Sequence, residues 1–323
     1  MSEPIVFSYA LTGEHAGQAL SGDDVTLELA GDALAWVHLD LAHPRARDWL
    51  QNKLTFIDRH AVNALLAEET RPRATEIGDG MLVILRGVNL NEGAEPEDMV
   101  SIRLWIDSRR IISIRRRRVR AAVDIQERIE NGTGPETAGQ FLGLLIERLT
   151  ARIEPVLREI DDAADALEDG VVAHANPDLR RPITEIRRRT IHLRRYIGPQ
   201  REAVAAIRLS TLPWLDDRNL RRLAESQDRL TRYVEDLDAI RDRAQIVKDE
   251  LTNALADRLN RNTYMLGVIA AIFLPLGFLT GLLGINVGGV PGTENPAAFW
   301  IFSGLLVVIV AAQALIFRLL RWF

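Results

Sequence analysis

At 323 residues the chain has room for about two domains, and a net charge of −5 gives it no bulk attraction for nucleic acid. It contains no cysteine, which excludes disulfides, thiolate catalysis and thiolate metal ligation and fits a reducing compartment. The opening MSEPIVFSYA has neither a basic n-region nor an apolar h-region, so no cleavable signal peptide is expected.

Residues 1–118 read as a cytoplasmic α+β domain. Five short β-rich segments, IVFSYAL, ALAWVHLDL, MLVILRGVNL, MVSIRLWID and RIISIR, are separated by turn residues. Between the second and third, DRHAVNALLAEE has helical periodicity, with Ala61, Leu65 and Leu66 on one face. A sheet covered by helices is expected, with strand order left open. Four arginines at 115–118 (IRRRRVRA) lack interleaved aromatics and read as partners for acidic neighbours, not as a nucleic-acid site. No Walker loop or GxGxxG occurs, so the machinery of an ATP-driven pump is missing.

From about Val119 the period becomes helical, and residues 119–264 are expected to form a bundle of long helices. NGTGP at 131–135 ends one helix, a second runs from about 136 to 169, and a third from 177 to about 209. The last starts near Asp216 and meets no Pro or Gly until Gly267, which predicts one helix on the order of 100 Å long. Leu223, Leu230, Leu237, Ala244 and Leu251 recur at seven-residue spacing, with Tyr233, Ile240 and Val247 on a second row, so this helix requires partners. In EIDDAADALEDG, Asp161, Asp165 and Glu168 or Asp169 share a face. They could hold a regulatory divalent metal between helices or subunits, although a solvated acidic face explains them as well. The six histidines never form HxH or HxxxH, so no zinc site is legible.

Two uncharged apolar runs follow, 265–283 and 297–317, each roughly 28–32 Å long as a helix and therefore able to cross a bilayer. Arg258 and Arg261 precede the first, Arg318 and Arg321 follow the second, and the connector 284–296 has no Lys or Arg. The positive-inside rule then places both termini, including the basic tail 318–323, in the cytoplasm and the connector outside. Trp300 and Trp322 suit the two interfaces. Asn260, Thr263, Gly267, Ala270, Leu274, Gly277, Gly281 and Gly284 fall on one helical stripe, small or polar for most of its length, with Ile269, Ile272, Phe273 and Phe278 expected opposite. Because Gly277 and Gly281 match GxxxG, this stripe is either a packing seam or a pore lining. Asn286 is either a helix cap or, repeated around an axis, a ring of neutral amide oxygens able to hold a hydrated divalent cation. Glu294, repeated at an outer mouth, would concentrate cations; singly it is a solvated loop acid.

Gly284-Ile285-Asn286 closing a first span, with YMLGVIAAIFLPLGFLTGLL before it, resembles the CorA-type divalent-cation transporter family, whose hallmark there is Gly-Met-Asn. Gly-Ile-Asn followed by Val-Gly-Gly-Val-Pro-Gly looks like its zinc-transporting ZntB branch, and LRRYIGPQREAV at 193–204 also resembles the family. The resemblance implies a funnel-shaped homopentamer in a bacterial-type inner membrane, its first spans lining an axial pore and its second spans facing lipid. Asn286 would form the outer selectivity ring, with Gly284 and Ile285 shaping its turn. Asn260, Thr263, Leu266, Ala270, Leu274 and Gly277 match the family's pore lining, Leu266 and Leu274 as hydrophobic constrictions and Asn260 as a polar inner ring. The cargo would be Zn²⁺ or another divalent cation, with no tightly bound cofactor.

An inside-negative potential favours import of a double charge by roughly 4.6 kcal/mol per 100 mV. Neither run contains an ionisable side chain, so any proton coupling would use groups outside the spans. A membrane-anchored coiled-coil scaffold would explain the long helix but not the small-and-polar stripe. No nucleophile, base or cofactor constellation points to an enzyme.

Overall fold

The computed structural model describes residues 4–68, 71–285, 292 and 294–319. Two compact units are present, residues 1–249 and 250–323.

The first unit is built on a sheet of six strands: β1 (Ile5–Ala10), β2 (Ala35–Asp40), β3 (Arg73–Ile77), β4 (Gly80–Gly87), β5 (Val100–Ile106) and β6 (Arg110–Arg115). Their order is β1-β2-β6-β5-β4-β3, with β2 and β6 parallel and every other pair antiparallel. Five of these are the β-rich segments of the sequence; β3 is additional. RATEI is largely exposed and carries no apolar alternation, as an edge strand can. Along the opposite edge the chain folds back on β1: Leu20 N–H donates to the Ser8 carbonyl at 2.9 Å, Gly17 N–H to Ala10 at 2.8 Å and Ala10 N–H to Gln18 at 3.1 Å.

Three short helices, α1 (Asp23–Ala30), α2 (Ala46–Lys53) and α3 (Arg59–Leu66), cover one face. Val25, Leu29, Leu50, Leu54, Ala61 and Leu65 meet Val37, Leu39, Ile112 and Ile114 in a continuous apolar core. The start of α3 is fixed by Asp58, whose carboxylate accepts from the His60 and Ala61 amides. On the other face Trp36 meets Phe141 edge-on, with ring centroids 4.8 Å apart. His38 is buried beside it and stacked on Phe7, with Nδ1 2.7 Å from the Ser113 hydroxyl. Burial, and secondarily the charge of Arg115, lowers its pKa to about 3.

The helical part contains α4 (Arg120–Glu130), α5 (Ala138–Ala151), α6 (Ile153–Ala173), α7 (Arg180–Arg208) and α8 (Asp217–Gly284). The single helix predicted from about 136 to 169 is two helices meeting at Arg152. Pro155 supplies the reason: it has no N–H for the Ala151 carbonyl, but is tolerated in the first turn of a new helix. Arg152 holds the break by pairing with both oxygens of Asp124. Gly170 does not end α6, which continues to Ala173.

At the start of α8, Asp216 accepts from the Asn219 amide at 2.7 Å. Gly139 on α5 lies so close that a Cβ there would sit 2.5 Å from the Asn219 amide nitrogen and 2.7 Å from the Trp214 carbonyl. The heptad residues Leu223, Leu230, Leu237, Ala244, Tyr233, Ile240 and Val247 are all buried. Their partners include α6 and α7 of the same chain: Tyr233 lies 3.4 Å from Glu154, Arg194 3.3 Å from Asp238, and Arg187 donates to Gln245 at 2.6 Å.

The second unit holds the rest of α8 and α9 (Ala298–Leu319). α8 is a continuous helix of 68 residues and remains helical through Pro275. Asn295 caps α9, its side chain accepting from the Ala297 amide at 2.9 Å and its carbonyl from Ala298 at 3.0 Å.

Candidate ion pathway

Both apolar helices have the length and hydropathy of membrane spans, and almost none of either apolar window is buried. Core helices of a water-soluble protein hide such side chains. These present Leu266, Phe273, Leu274, Phe278, Trp300, Val307 and Leu315 to their surroundings.

Packing between the spans is confined to one face of each. On α9 the covered positions are Phe302, Ser303, Leu306, Ile309, Gln313 and Phe317; on α8 they are Val268, Ala271, Ile272, Leu276 and Leu279. Both sets advance by three or four residues, as a helix–helix seam requires. At 100° per residue, the α8 seam is centred opposite the stripe running through Thr263, Leu266, Ala270, Leu274 and Gly277. The expected bulky face is corrected in part: Ile272 lies in the seam, whereas Phe273 and Phe278 are exposed.

The stripe is uncovered throughout. Asn260, Thr263, Leu266, Ala270, Leu274 and Gly277 are exposed, Leu274 at 77% and Leu266 at 67%. A Cβ placed on Gly267, Gly277, Gly281 or Gly284 would meet nothing within 4 Å. The GxxxG pair is therefore not a packing surface for the second span of its own chain. Gly284 ends α8 and Ile285 is exposed beyond it; Asn286 lies outside the described residues. Glu294 is exposed in the turn before α9.

The acidic face of α6 is differently placed. Arg243 of α8 pairs with both Asp161 and Asp165. Asp161 and Arg243 line a cavity of about 710 Å³ together with Glu154, Arg229, Tyr233 and Asp236, among others. Burial, then repulsion from Asp161 and Glu235, raises the Asp236 pKa. Among the described residues no three His, Asp or Glu side chains are grouped to hold a metal ion. Arg243 thus already engages two of the four carboxylates Asp161, Asp165, Glu168 and Asp169. Of the arginine run, Arg115 lies 3.9 Å from Asp40, and Arg116 and Arg117 line a concavity that Glu68, Glu97 and Asp98 share.

Residues 31–319 match the family described as CorA-like Mg2+ transporter protein. The chain belongs to this family. CorA-like proteins are transporters of divalent cations and not enzymes. Among its relatives, the divalent cation transporter CmaX of Pseudomonas aeruginosa is 39% identical over 322 residues, covering 98% of this chain and 96% of that one. A zinc transport protein ZntB of Yersinia enterocolitica is 35% identical over 317 residues, covering 98% and 95%. The full-length CmaX structure superposes with a TM-score of 0.86 over 100% of this chain and 99% of its own. The sheet domain, the long helices and the two terminal apolar helices are thus a CorA-like architecture. The contribution of sequence reasoning to the pathway was the stripe on the first span. What it missed was the seam: Gln313 is the most polar member of the second run, and its partner lies on another helix.

Proposed function

We propose that this chain assembles as a homopentamer in a bacterial inner membrane and carries divalent metal cations, Zn²⁺ foremost, along an axial pore lined by α8. The observation that carries the proposal is the uncovered stripe on α8, opposite the seam with α9. A helix in lipid gains nothing by exposing glycines, a threonine and an asparagine there, whereas a pore or an intersubunit contact uses all of them. Arg258 and Arg261 before the first span and Arg318 after the second support cytoplasmic termini.

In this reading Asn286 supplies the outer ring. Neutral amide oxygens hold the water shell of a divalent cation without trapping it, and Gly284 and Ile285 set the turn that brings them to the axis. Glu294, repeated at the mouth, concentrates cations. Leu266 and Leu274 form hydrophobic constrictions, Thr263, Ala270 and Gly277 line the path between and beyond them, and Asn260 forms a polar ring at the inner mouth. The metal is cargo and no resident cofactor is required. A regulatory metal at Asp161, Asp165, Glu168 and Asp169 would need ligands from a second copy, and their engagement with Arg243 counts against it.

Gly-Ile-Asn and the relatives named for zinc transport support Zn²⁺. A broader Mg²⁺, Co²⁺ or Ni²⁺ substrate range is the second reading, favoured by the family description and by a relative named only for divalent cations. Uptake of radioactive zinc into proteoliposomes, with competing cations and with or without a pH gradient, tests both. Asn286→Ala is expected to abolish selective uptake while the oligomer still assembles; undiminished uptake would refute the amide ring.

A further inference from the structure

Pro275 lies inside the first span, and α8 remains helical through it. Proline has no N–H, so the carbonyl four residues earlier, that of Ala271, loses its intrahelical donor. In water that carbonyl would be solvated. In a hydrocarbon core it needs a donor from the protein, because an unsatisfied backbone group there costs several kcal/mol.

The one hydroxyl in this span, on Thr280, lies nine residues further along the helix, about 13 Å away. Thr280 donates within its own helix, with the Leu276 and Gly277 carbonyls at 2.9 and 3.1 Å. The donor comes from the other span: the Gln313 side-chain Nε2 donates to the Ala271 carbonyl at 3.1 Å. Gln313 is the most polar side chain of the second apolar run, and its position on the α9 seam places it against α8. Its Oε1 is buried without a partner among the described residues. Turning the amide around would set oxygen against oxygen, so one orientation is selected. A glutamine that leaves its own oxygen unsatisfied in order to present its nitrogen is poorly explained as filler. It is well explained as the donor the proline removed.

We infer that Gln313 is a positioning residue for the ion pathway, clamping α9 to α8 at the Ala271 carbonyl that Pro275 leaves without a donor and thereby fixing the course of α8 beside Leu274. The functional half of this inference rests on the proposed pore; the clamp itself does not. Pro275 is a point at which α8 can flex, and Ala270, Leu274 and Gly277 occupy the stripe around it. With the clamp made, the carbonyl is held toward α9 and the stripe faces away. With it broken, α8 is free to flex at Pro275 and Leu274 moves relative to any axis it faces.

A double-mutant cycle separates the clamp from ordinary packing. Gln313→Met keeps the volume and removes the donor, while Pro275→Ala restores an N–H for the Ala271 carbonyl. In the full chain in bilayers or detergent, Gln313→Met is expected to lower the folding equilibrium constant of the membrane helices by about 3-fold to 20-fold, the range for interhelical hydrogen bonds. In the Pro275→Ala background the same change should have less than about half that effect on a logarithmic scale. Equal effects in both backgrounds would overturn the clamp.

The second readout is Zn²⁺ uptake. Gln313→Met is expected to change the maximal rate several-fold with KM unchanged, and Pro275→Ala should suppress that change. A coupled stability cycle with wild-type transport kinetics in Gln313→Met would overturn the positioning role. If the unmodified protein passed no divalent cation, the proposed pore would fall and with it the positioning role. The stability cycle would still decide the clamp.

Discussion

The sheet domain and the pair of terminal helices follow opposite rules of burial. In the first unit Trp36, Phe141, Leu39, Leu50 and Ile84 are fully buried, and even the Glu97 carboxylate is enclosed, 3.3 Å from each of Arg188 and Arg189. In the terminal unit Leu274, Trp300, Val307 and Leu319 are exposed, and within the spans the covered side chains lie on one face of each helix. The difference is one of solvent. Water drives apolar groups into a close-packed interior, whereas lipid leaves them indifferent and makes backbone satisfaction and small-residue contact the organising forces. Residues of the same type consequently have different meanings in the two units: a glycine on α5 is a close approach, and a glycine on the α8 stripe is an opening.

Substitutions can break that contrast, beginning with the largest expected effect. Phe141→Ala removes the ring that meets Trp36 and should destabilise the sheet domain by about 3–5 kcal/mol, seen as a lower thermal midpoint for the solubilised full chain. An unchanged midpoint would mean that the domain does not depend on this core. Val307→Arg puts a charge on the exposed face of α9 and should impair membrane insertion by about 2.5–3.5 kcal/mol, read out by a glycosylation or protease-protection assay. In the first unit the analogous change, Leu27→Arg at a 69% exposed position, should be within about 0.5 kcal/mol of neutral. Equal tolerance of the two arginines would remove the membrane interpretation of α9.

A pH-dependent effect, absent near neutrality and growing with acid, sharpens the contrast from the other side. Folding lowers the His38 pKa from its usual value near 6.5 to about 3, chiefly by burial. Above 6.5 the imidazole is neutral in both states and has no linkage effect. Between about 6.5 and 3 the unfolded chain takes up a proton that the folded chain refuses, so stability falls as pH falls, by at most about 1.4 kcal/mol per pH unit. His38→Gln should flatten that part of the stability profile. Persistence of the full acid sensitivity in the variant would assign it to other groups.

Much of the architecture was legible because periodicity survives in both solvents. Five strands, the helical change near Val119, the heptad rows and both spans announce themselves by spacing alone. Features that depend on a distant contact do not. β3 is an edge strand whose polar residues give no alternation, and its pairing with β4 needs the sheet. The break at Arg152 follows from Pro155, but a proline near a helix start and one inside a helix look alike until the helix boundary is known; Pro199 and Pro275 both remain within helices. The stripe from Asn260 to Gly284 was visible as a pattern, but its freedom from the second span required the seam on the opposite face. Asn295 could have been recognised as a helix cap from its place before an apolar run. Gln313 offered no such signal, since its partner is a backbone atom 42 residues away.

The return of the chain along β1 has a consequence for assembly. A bare outer strand is a template on which a second molecule can add its own strand, and several copies held side by side would face that hazard continuously. Here backbone bonds from the segment ending at Leu20 already occupy part of that template. In the proposed oligomer, neighbouring copies would meet a sheet whose first margin is partly sealed, which disfavours runaway strand addition and leaves side-chain surfaces to set how many copies join.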